Sequence, residues 1–360
     1  WAEKLVGDSR RGVLHGGVIT SLVDSTSALS IFSLLGEPEA IAEAVKNARA
    51  SSGTVIVMDP KTGAILAHAT APTFNPNNTK NVSLELMRNP SVQDVYEPGS
   101  TGKVMTLAAA LEEGTISPET VFDVPYKIRR AGEEFRDHDP HPLQKLTTAG
   151  ILAVSSNTGT IKIAETMSHD TLHSYLTKFG IGSKTGAGLP GENVGRLLAV
   201  KDWSGTTAPT VAFGQGYSLN AMQATSIFAT LANNGVRVSP TVIAGTSDAS
   251  GNFTEFKSEK GVQVISAATA AKMRLMMESV VSSHGTAPSA AIPGYRVAGK
   301  TGTATRYDDK CGCYSGYTAS FIGFAPADAP RYVISVTIQD PKGMHWGGYL
   351  GGPVFKKVMS

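Results

Sequence analysis

Ser100 and Lys103 stand three residues apart in Ser100-Thr-Gly-Lys103, directly after the turn-forming Glu97-Pro98-Gly99. A serine hydroxyl attacks a carbonyl carbon only when a neighbouring base takes its proton. A lysine amine can be that base only where burial or a nearby cation holds it neutral. Residues i and i+3 share one face of a helix, and Val104, Leu107, Ala108 and Leu111 recur at helical spacing. The pattern predicts a helix from Thr101 to Glu113 that brings Lys103 within reach of the Ser100 oxygen. Taken alone, the tetrapeptide reads more simply as a helix N-cap beside a solvated lysine.

Two further clusters change that balance. Ser155-Ser156-Asn157 follows the apolar run Ala149–Val154, and Lys300-Thr301-Gly302-Thr303 follows the strand-like Tyr295–Ala298. Ser-x-x-Lys, a serine-asparagine cluster and Lys-Thr-Gly, in this order, are the signature of class A β-lactamases and penicillin-binding proteins. Further stretches agree: Tyr96-Glu97-Pro98-Gly99, Phe179-Gly180-Ile181-Gly182, Leu189-Pro190-Gly191-Glu192, Phe213-Gly214-Gln215-Gly216, Ala232-Asn233-Asn234-Gly235 and Phe321–Pro326. From about Ala44 to the C-terminus the chain resembles the transpeptidase domain of a class B, monofunctional penicillin-binding protein of the cell-division type.

Lys-Thr-Gly occurs three times. Asp59-Pro60-Lys61-Thr62-Gly63 has the chemistry of a hairpin turn between the strand-like runs 54–58 and 64–69. Lys184-Thr185-Gly186 lies in a glycine-rich loop. Only Lys300-Thr301-Gly302 begins within a β-prone run and continues with small and hydroxyl residues, as a strand edge that receives a peptide must.

The resemblance implies acyl transfer from a D-alanyl-D-alanine stem peptide of peptidoglycan, with β-lactams as inhibitors and no cofactor or metal. Ser100 would be the nucleophile, with Lys103 as its leading base. Ser155 would relay the proton to the leaving amine, and Asn157 would bind the substrate amide and help hold Lys103. Lys300 would supply positive potential, and the Thr301 and Thr303 hydroxyls, flanking Gly302, would bind the terminal carboxylate. The backbone N–H groups of Ser100 and Thr303 would form the oxyanion hole. The same resemblance places the protein on the outer face of a bacterial cell membrane, beside a glycan polymerase and other division proteins.

The elements that must position these groups are also legible. Helices are expected at 40–50, 172–179, 221–233 and 267–279, with the middle of the chain mainly helical. Strands are expected at 54–58, 64–69, 295–298, 319–324 and 332–338. The first and last portions then meet in one antiparallel sheet flanked by helices, an α/β (α+β) fold of the β-lactamase/transpeptidase kind. The cleft lies between this sheet and a helical lobe. Val354–Ser360 reads as the start of a helix on the sheet, cut short at some cost in stability.

Composition sets limits. With 360 residues, 41% apolar and 17% charged, and a net charge of +2, the chain is a globular protein of two lobes or domains. No basic cluster interleaved with aromatics points to nucleic acid. No apolar run reaches membrane-spanning length, and the family's anchor and pedestal are not recognisable, so the chain reads as a catalytic-domain fragment. Cys311 and Cys313 are expected first as free thiols in a loop, because a bridge across one residue would be strained, with a strained or redox-sensitive bridge as the second reading. Asp137-His138-Asp139-Pro140-His141 reads as a proline-bound loop rather than a metal site.

Residues 1–43 depart from this family. Arg11 to Asp24, with His15-Gly16-Gly17, resembles the loop and central helix of a hotdog-fold thioesterase. No sheet to wrap that helix follows, so the segment is expected to be a non-functional addition to a catalytic domain at 44–360. Two rivals share the later motifs: a serine β-lactamase or D,D-carboxypeptidase using water, and a non-catalytic penicillin-sensing or partner-binding module. Glu165 and Glu192 lack the Leu-Asn context of a deacylating glutamate, and the module reading predicts loss of Ser100 or Lys300, both of which are present.

Overall fold

The structure is a computed structural model that describes residues 40–360 except 76, 249, 257–259 and 309–310, together with a strand pair at Val6–Asp8 and Val13–Leu14. His15 and Asp24 lie outside the described residues.

A five-stranded antiparallel sheet carries the fold. Its strands are β1 (Ser52–Met58), β2 (Ile65–Ala71), β7 (Ala298–Asp308), β8 (Cys313–Ala325) and β9 (Tyr332–Gln339), in the order β7-β8-β9-β1-β2. The chain ends therefore do meet in one sheet. The runs of Val, Ile and Phe in β1, β8 and β9 are buried on both faces, which explains their continuous apolar character. One face is covered by α1 (Ala40–Asn47) and by α9 (Gly347–Met359), where Phe355 meets Phe321 edge to face. The C-terminal helix thus begins seven residues before the start expected at Val354. Helix α1 crosses residues 43 and 44, with Ile41 buried against the sheet.

The helical lobe centres on α2 (Lys103–Glu112), which is buried on every side from Lys103 to Leu111. Its small, apolar sequence suits a helix with no solvent face. Around it stand α3 (Thr148–Ala153), α4 (Asn157–Ala164), α5 (His169–Lys178), α7 (Ala221–Ala232) and α8 (Ala267–Val281). Helix α7 is fully buried and starts with a capping box between Asn220 and Gln223. The short α6 (Thr207–Ala212) leads into Phe213 and Gly214.

The middle is less helical than expected. Strands β3 (Val121–Val124) and β6 (Gln144–Thr147) pair, and between them lies a hairpin of β4 (Lys127–Arg130) and β5 (Glu133–Arg136). Its turn has Ala131 at φ 49° and Gly132 at φ 88°, the double positive φ that favours two-residue hairpin loops.

The cysteines correct another expectation. Cys311 and Cys313 are joined by a disulfide at the tip of the β7–β8 hairpin. The left-handed φ of 62° at Gly312 folds the chain back and leaves the two Cα atoms 5.2 Å apart. That separation lies within the ordinary disulfide range.

Candidate active site

Ser100 lies in a 3-10 turn, Gly99–Gly102, that runs straight into α2. This turn is locked to two neighbours. The Gly99 N–H donates to the Gly214 carbonyl at 2.8 Å. Gly214 has φ 92°, and a Cβ there would stand 1.8 Å from the Gly99 oxygen, so no other residue fits. On the other side β7 presses in: a Cβ on Gly302 would lie 2.9 Å from the Pro98 oxygen and 2.4 Å from Ser320 Oγ. Glu97 ties the same turn outward, accepting from the Gly216 N–H at 2.9 Å and from the Tyr314 hydroxyl at 3.3 Å.

Ser155 occupies the link between α3 and α4 in a left-handed conformation, φ 61°. For a residue with a Cβ this costs on the order of 1–2 kcal/mol, so its surroundings must impose it. The Ser155 N–H closes onto the Leu152 carbonyl, and Ser156 caps α4 by accepting from the Gly159 N–H at 2.9 Å. The result aims both the carbonyl and the hydroxyl of Ser155 at two buried amines.

Lys103 Nζ donates to the Ser155 carbonyl at 2.5 Å and to Ser155 Oγ at 3.3 Å. Lys300 Nζ donates to the same Oγ at 2.8 Å and to the Thr301 carbonyl at 3.2 Å. Both lysines are fully buried. Burial pulls the Lys103 amine down to about 7, against the opposing pull of Asp137. Burial, and then the neighbouring Lys103 charge, push Lys300 well below the ordinary lysine range. Two desolvated amines sharing one hydroxyl favour a state with one proton fewer than two free lysines would carry.

The geometry differs in two respects from the sequence expectation. Among the described residues, Lys103 bonds across the site to Ser155, and Ser100 Oγ has no hydrogen-bond partner. Asn157 Nδ2 donates to the Arg136 carbonyl at 2.9 Å rather than holding Lys103.

Thr301 and Thr303 both face the cleft from the free edge of β7. Thr303 Oγ1 accepts from the Gly347 N–H at 3.1 Å, which leaves its own proton free to donate outward. Thr301 Oγ1 pairs with Thr286 Oγ1 at 2.8 Å. Lys61 lies in the β1–β2 turn and Lys184 in an exposed loop, both far in topology from this edge.

These groups open into a cleft of about 800 Å³ lined by Ser100, Ser155, Asn157, Thr301 and Thr303. Aromatic rings wall its mouth: Tyr317 stacks on His345 at 4.0 Å, and Trp346 packs against both His345 and His138. A smaller cavity of about 190 Å³, beside Glu165 and His169, lies at the far end of α4. Glu165 is paired there with Arg130, and Glu192 accepts from the Thr185 N–H; neither lines the cleft. Asp137, which the sequence placed in a plain loop, is buried against the start of α4. No local pattern in the sequence marks it.

A sheet edge, an all-buried helix carrying Lys103, and a cleft lined by Ser100 and Ser155 bring a hydroxyl, two desolvated amines and a strand edge together in one place. The chain belongs to the penicillin binding protein transpeptidase domain family, which it matches over residues 53–360. It is 38% identical to penicillin-binding protein PbpB of Mycolicibacterium smegmatis over 335 residues, covering 89% of this chain and 52% of the relative. It is 34% identical to peptidoglycan D,D-transpeptidase FtsI of Escherichia coli K12, covering 86% and 51%. The crystal structure of penicillin binding protein 3 of Mycobacterium tuberculosis complexed with aztreonam superposes with a TM-score of 0.85 at 34% identity, covering 91% of this chain and 75% of that one. The chain thus spans about half the length of these curated relatives.

Proposed function

We propose that this chain is a serine D,D-transpeptidase that cross-links peptidoglycan stem peptides and is acylated by β-lactams. The observation that carries it is the convergence of Lys103 and Lys300 on the Ser155 hydroxyl at the floor of a cleft that Ser100 lines. Neutral Lys103 accepts the Ser100 proton, and Ser100 Oγ attacks the penultimate D-alanine carbonyl. Ser155 passes a proton to the nitrogen of the breaking amide, and D-alanine leaves. An amine of a second stem peptide then attacks the ester, releases Ser100 and completes the cross-link.

The N–H groups of Ser100 and Thr303 hold the oxyanion. Donors of this kind contribute about 3–4 kcal/mol in the transition state. Lys300 and the Thr301 and Thr303 hydroxyls receive the terminal carboxylate, whose charge favours the protonated form of Lys300 and leaves Lys103 the neutral partner. Asn157, at the cleft wall, meets the substrate amide. The family likeness supports work at the outer face of the cell membrane beside a glycan polymerase and division proteins. Among the described residues no helix is long and apolar enough to cross a membrane.

Intact mass after incubation with benzylpenicillin tests the proposal. One added antibiotic mass on the wild-type protein, absent in Ser100→Ala and persisting for many minutes, is expected. A folded protein that is never labelled overturns it, and rapid catalytic turnover of nitrocefin moves the assignment to a β-lactamase.

A further inference from the structure

The Cys311–Cys313 pair is a motif to which the steps above give no part. It stands at the end of an arm. Strand β8 pairs with β9 from Thr318 to Ala325, whereas its ladder with β7 runs on past Thr305 and Tyr317 to the pairs Tyr307–Tyr314 and Asp308–Cys313. Among the described residues, the sheet is therefore only two strands wide at this end. A two-stranded ribbon without a packed face is marginal in water. Every residue from Cys311 to Ser315 is exposed, so no core holds this one.

The disulfide closes the tip of the arm. Beside it, the Tyr314 hydroxyl donates to Glu97 at 3.3 Å, and Glu97 also accepts from the Gly216 N–H at 2.9 Å. Glu97 stands three residues before Ser100, in the turn that the Gly214 carbonyl locks through the Gly99 N–H. At the base of the arm, Thr305 and Tyr317 line the cleft. The arm is thus tied at its outer end to the turn of the nucleophile and at its base to the cleft wall.

A cross-link stabilises a fold through the chain freedom it removes, which grows with the length of the loop it closes. This one spans a single intervening residue. Opening it costs the whole domain little and confines the effect to the arm: the ribbon loses its closed end, and Tyr314 loses its fixed place beside Glu97. Exposed disulfides are also the ones most open to thiol exchange. A reductant reaches these sulfurs without unfolding the domain.

We propose that the Cys311–Cys313 pair is a thiol–disulfide exchange site that sets the rate of acylation: the bridge holds the arm against Glu97, and the reduced pair releases it. This rests on the acyl-transfer reading of the site. The partner is a dithiol reductant. One of its thiolates attacks an exposed sulfur, and the other cysteine leaves as a thiolate. The second thiol of the reductant then attacks the mixed disulfide and frees the first cysteine. The protein gains two electrons and two protons, and the reductant departs as a disulfide.

The test treats the full chain, purified without reductant, with dithiothreitol. Thiols are counted by intact mass after iodoacetamide, benzylpenicillin acylation is timed on unalkylated samples, and thermal melts check folding. Reduction is expected to take the folded protein from no label to two, since the chain has two cysteines. It should slow acylation by about fivefold or more, the scale of one lost hydrogen bond, and reoxidation should restore the rate. The double variant Cys311→Ser/Cys313→Ser should be slow with or without dithiothreitol, which separates the arm from any effect of the reductant on the antibiotic. Tyr314→Phe keeps the bridge and the ring but loses the donor to Glu97. It should be slow when oxidised and lose little more on reduction. A bridge that stays unlabelled in the folded protein under excess dithiothreitol overturns the inference. So does a reduced wild type as fast as the oxidised one, or a Tyr314→Phe protein that slows on reduction by the full wild-type factor. If the oxidised wild type is never acylated, it is the functional proposal that fails, while the thiol count still reports on the exchange.

Discussion

Lys300 Nζ lies 2.8 Å from Ser155 Oγ, although 145 residues separate the two in sequence. One comes from the edge strand β7 and the other from the strained link between α3 and α4, so this bond closes the sheet against the helical lobe. Its partner bond from Lys103 makes the Ser155 hydroxyl a bridge between two amines, only one of which can be the base.

The rate of β-lactam acylation should therefore follow the state of Lys103. Burial places that amine at about 7. A base works when neutral, so the rate should be flat above this value and fall about tenfold per pH unit below it. Stopped-flow acylation from pH 5.5 to 9 measures this. A rate independent of pH across 6 to 8 rules Lys103 out as the base.

The three Lys-Thr-Gly copies give a sharp contrast. Lys300→Ala removes a buried cation from the cleft and should slow acylation by about 10²–10³-fold, the size seen when a transition-state electrostatic contact is lost. Lys61→Ala and Lys184→Ala alter exposed turns and should stay within about twofold. Similar losses in all three would show that the cleft has been assigned to the wrong copy.

Much of this was legible because motif residues stand next to strong local signals. The turn chemistry around Lys61, the glycines around Lys184 and the β-prone run before Lys300 separated one copy from two others. Strands β1, β8 and β9 and the helices at 221–232 and 267–281 follow from long apolar patterns, which leave little freedom, whereas the strand expected at 295–298 begins only at Ala298 and runs to Asp308 through glycine and hydroxyl residues that carry no such pattern. The hairpin 127–136 was missed because β4 and β5 are charged and mostly solvent-facing, with burial alternating only at Ile128 and Phe135. Its main signal was the Ala131-Gly132 turn. Asp137 was missed for a different reason. Its burial depends on bringing the end of that hairpin against the start of α4, a contact no local window contains.

Ser155 also predicts a separation of strain from chemistry. Ser155→Ala and Ser155→Gly both lose the bridging hydroxyl and should both lose most acylation. Only glycine is comfortable at φ 61°. The Gly variant should therefore be more stable than the Ala variant by about 1 kcal/mol, read from denaturant unfolding. Equal stabilities would mean that the left-handed conformation carries no strain.

His68 on β2 should contribute to the acid sensitivity of the fold. It is buried opposite Ile56, and among the described residues neither ring nitrogen has a partner. Burial lowers it from 6.5 to about 4. The unfolded chain takes up a proton below 6.5 that the folded one refuses, so stability is full above 6.5 and falls as pH drops toward 4. The loss across that window should be about 3 kcal/mol. Unfolding midpoints at pH 7.5 and 4.5 measure it, with His68→Leu expected to flatten the difference. An unchanged slope in that variant would assign the acid sensitivity elsewhere.

The start of the chain gives the last prediction, a contrast between two deletions. Helix α1 belongs to the catalytic unit by its contacts. Ile41 is 2% exposed, a Cβ on Gly53 would collide with Val45 and Ile41, and Glu43 pairs with Lys357 of α9. Removing residues 1–39 should leave benzylpenicillin acylation within about twofold. Removing residues 1–47 should also cost the burial of Ile41 and its neighbours, about 2–4 kcal/mol by the usual penalty for emptying a core site. Acyl-CoA hydrolysis should be at background in the full chain and unaltered by His15→Ala or Asp24→Ala. Melting temperatures of the two deletions, with acylation and thioester assays on each, decide it. Thioester turnover that disappears in those two point variants would give residues 1–39 an activity of their own, and equal melting of the two deletions would detach α1 from the core.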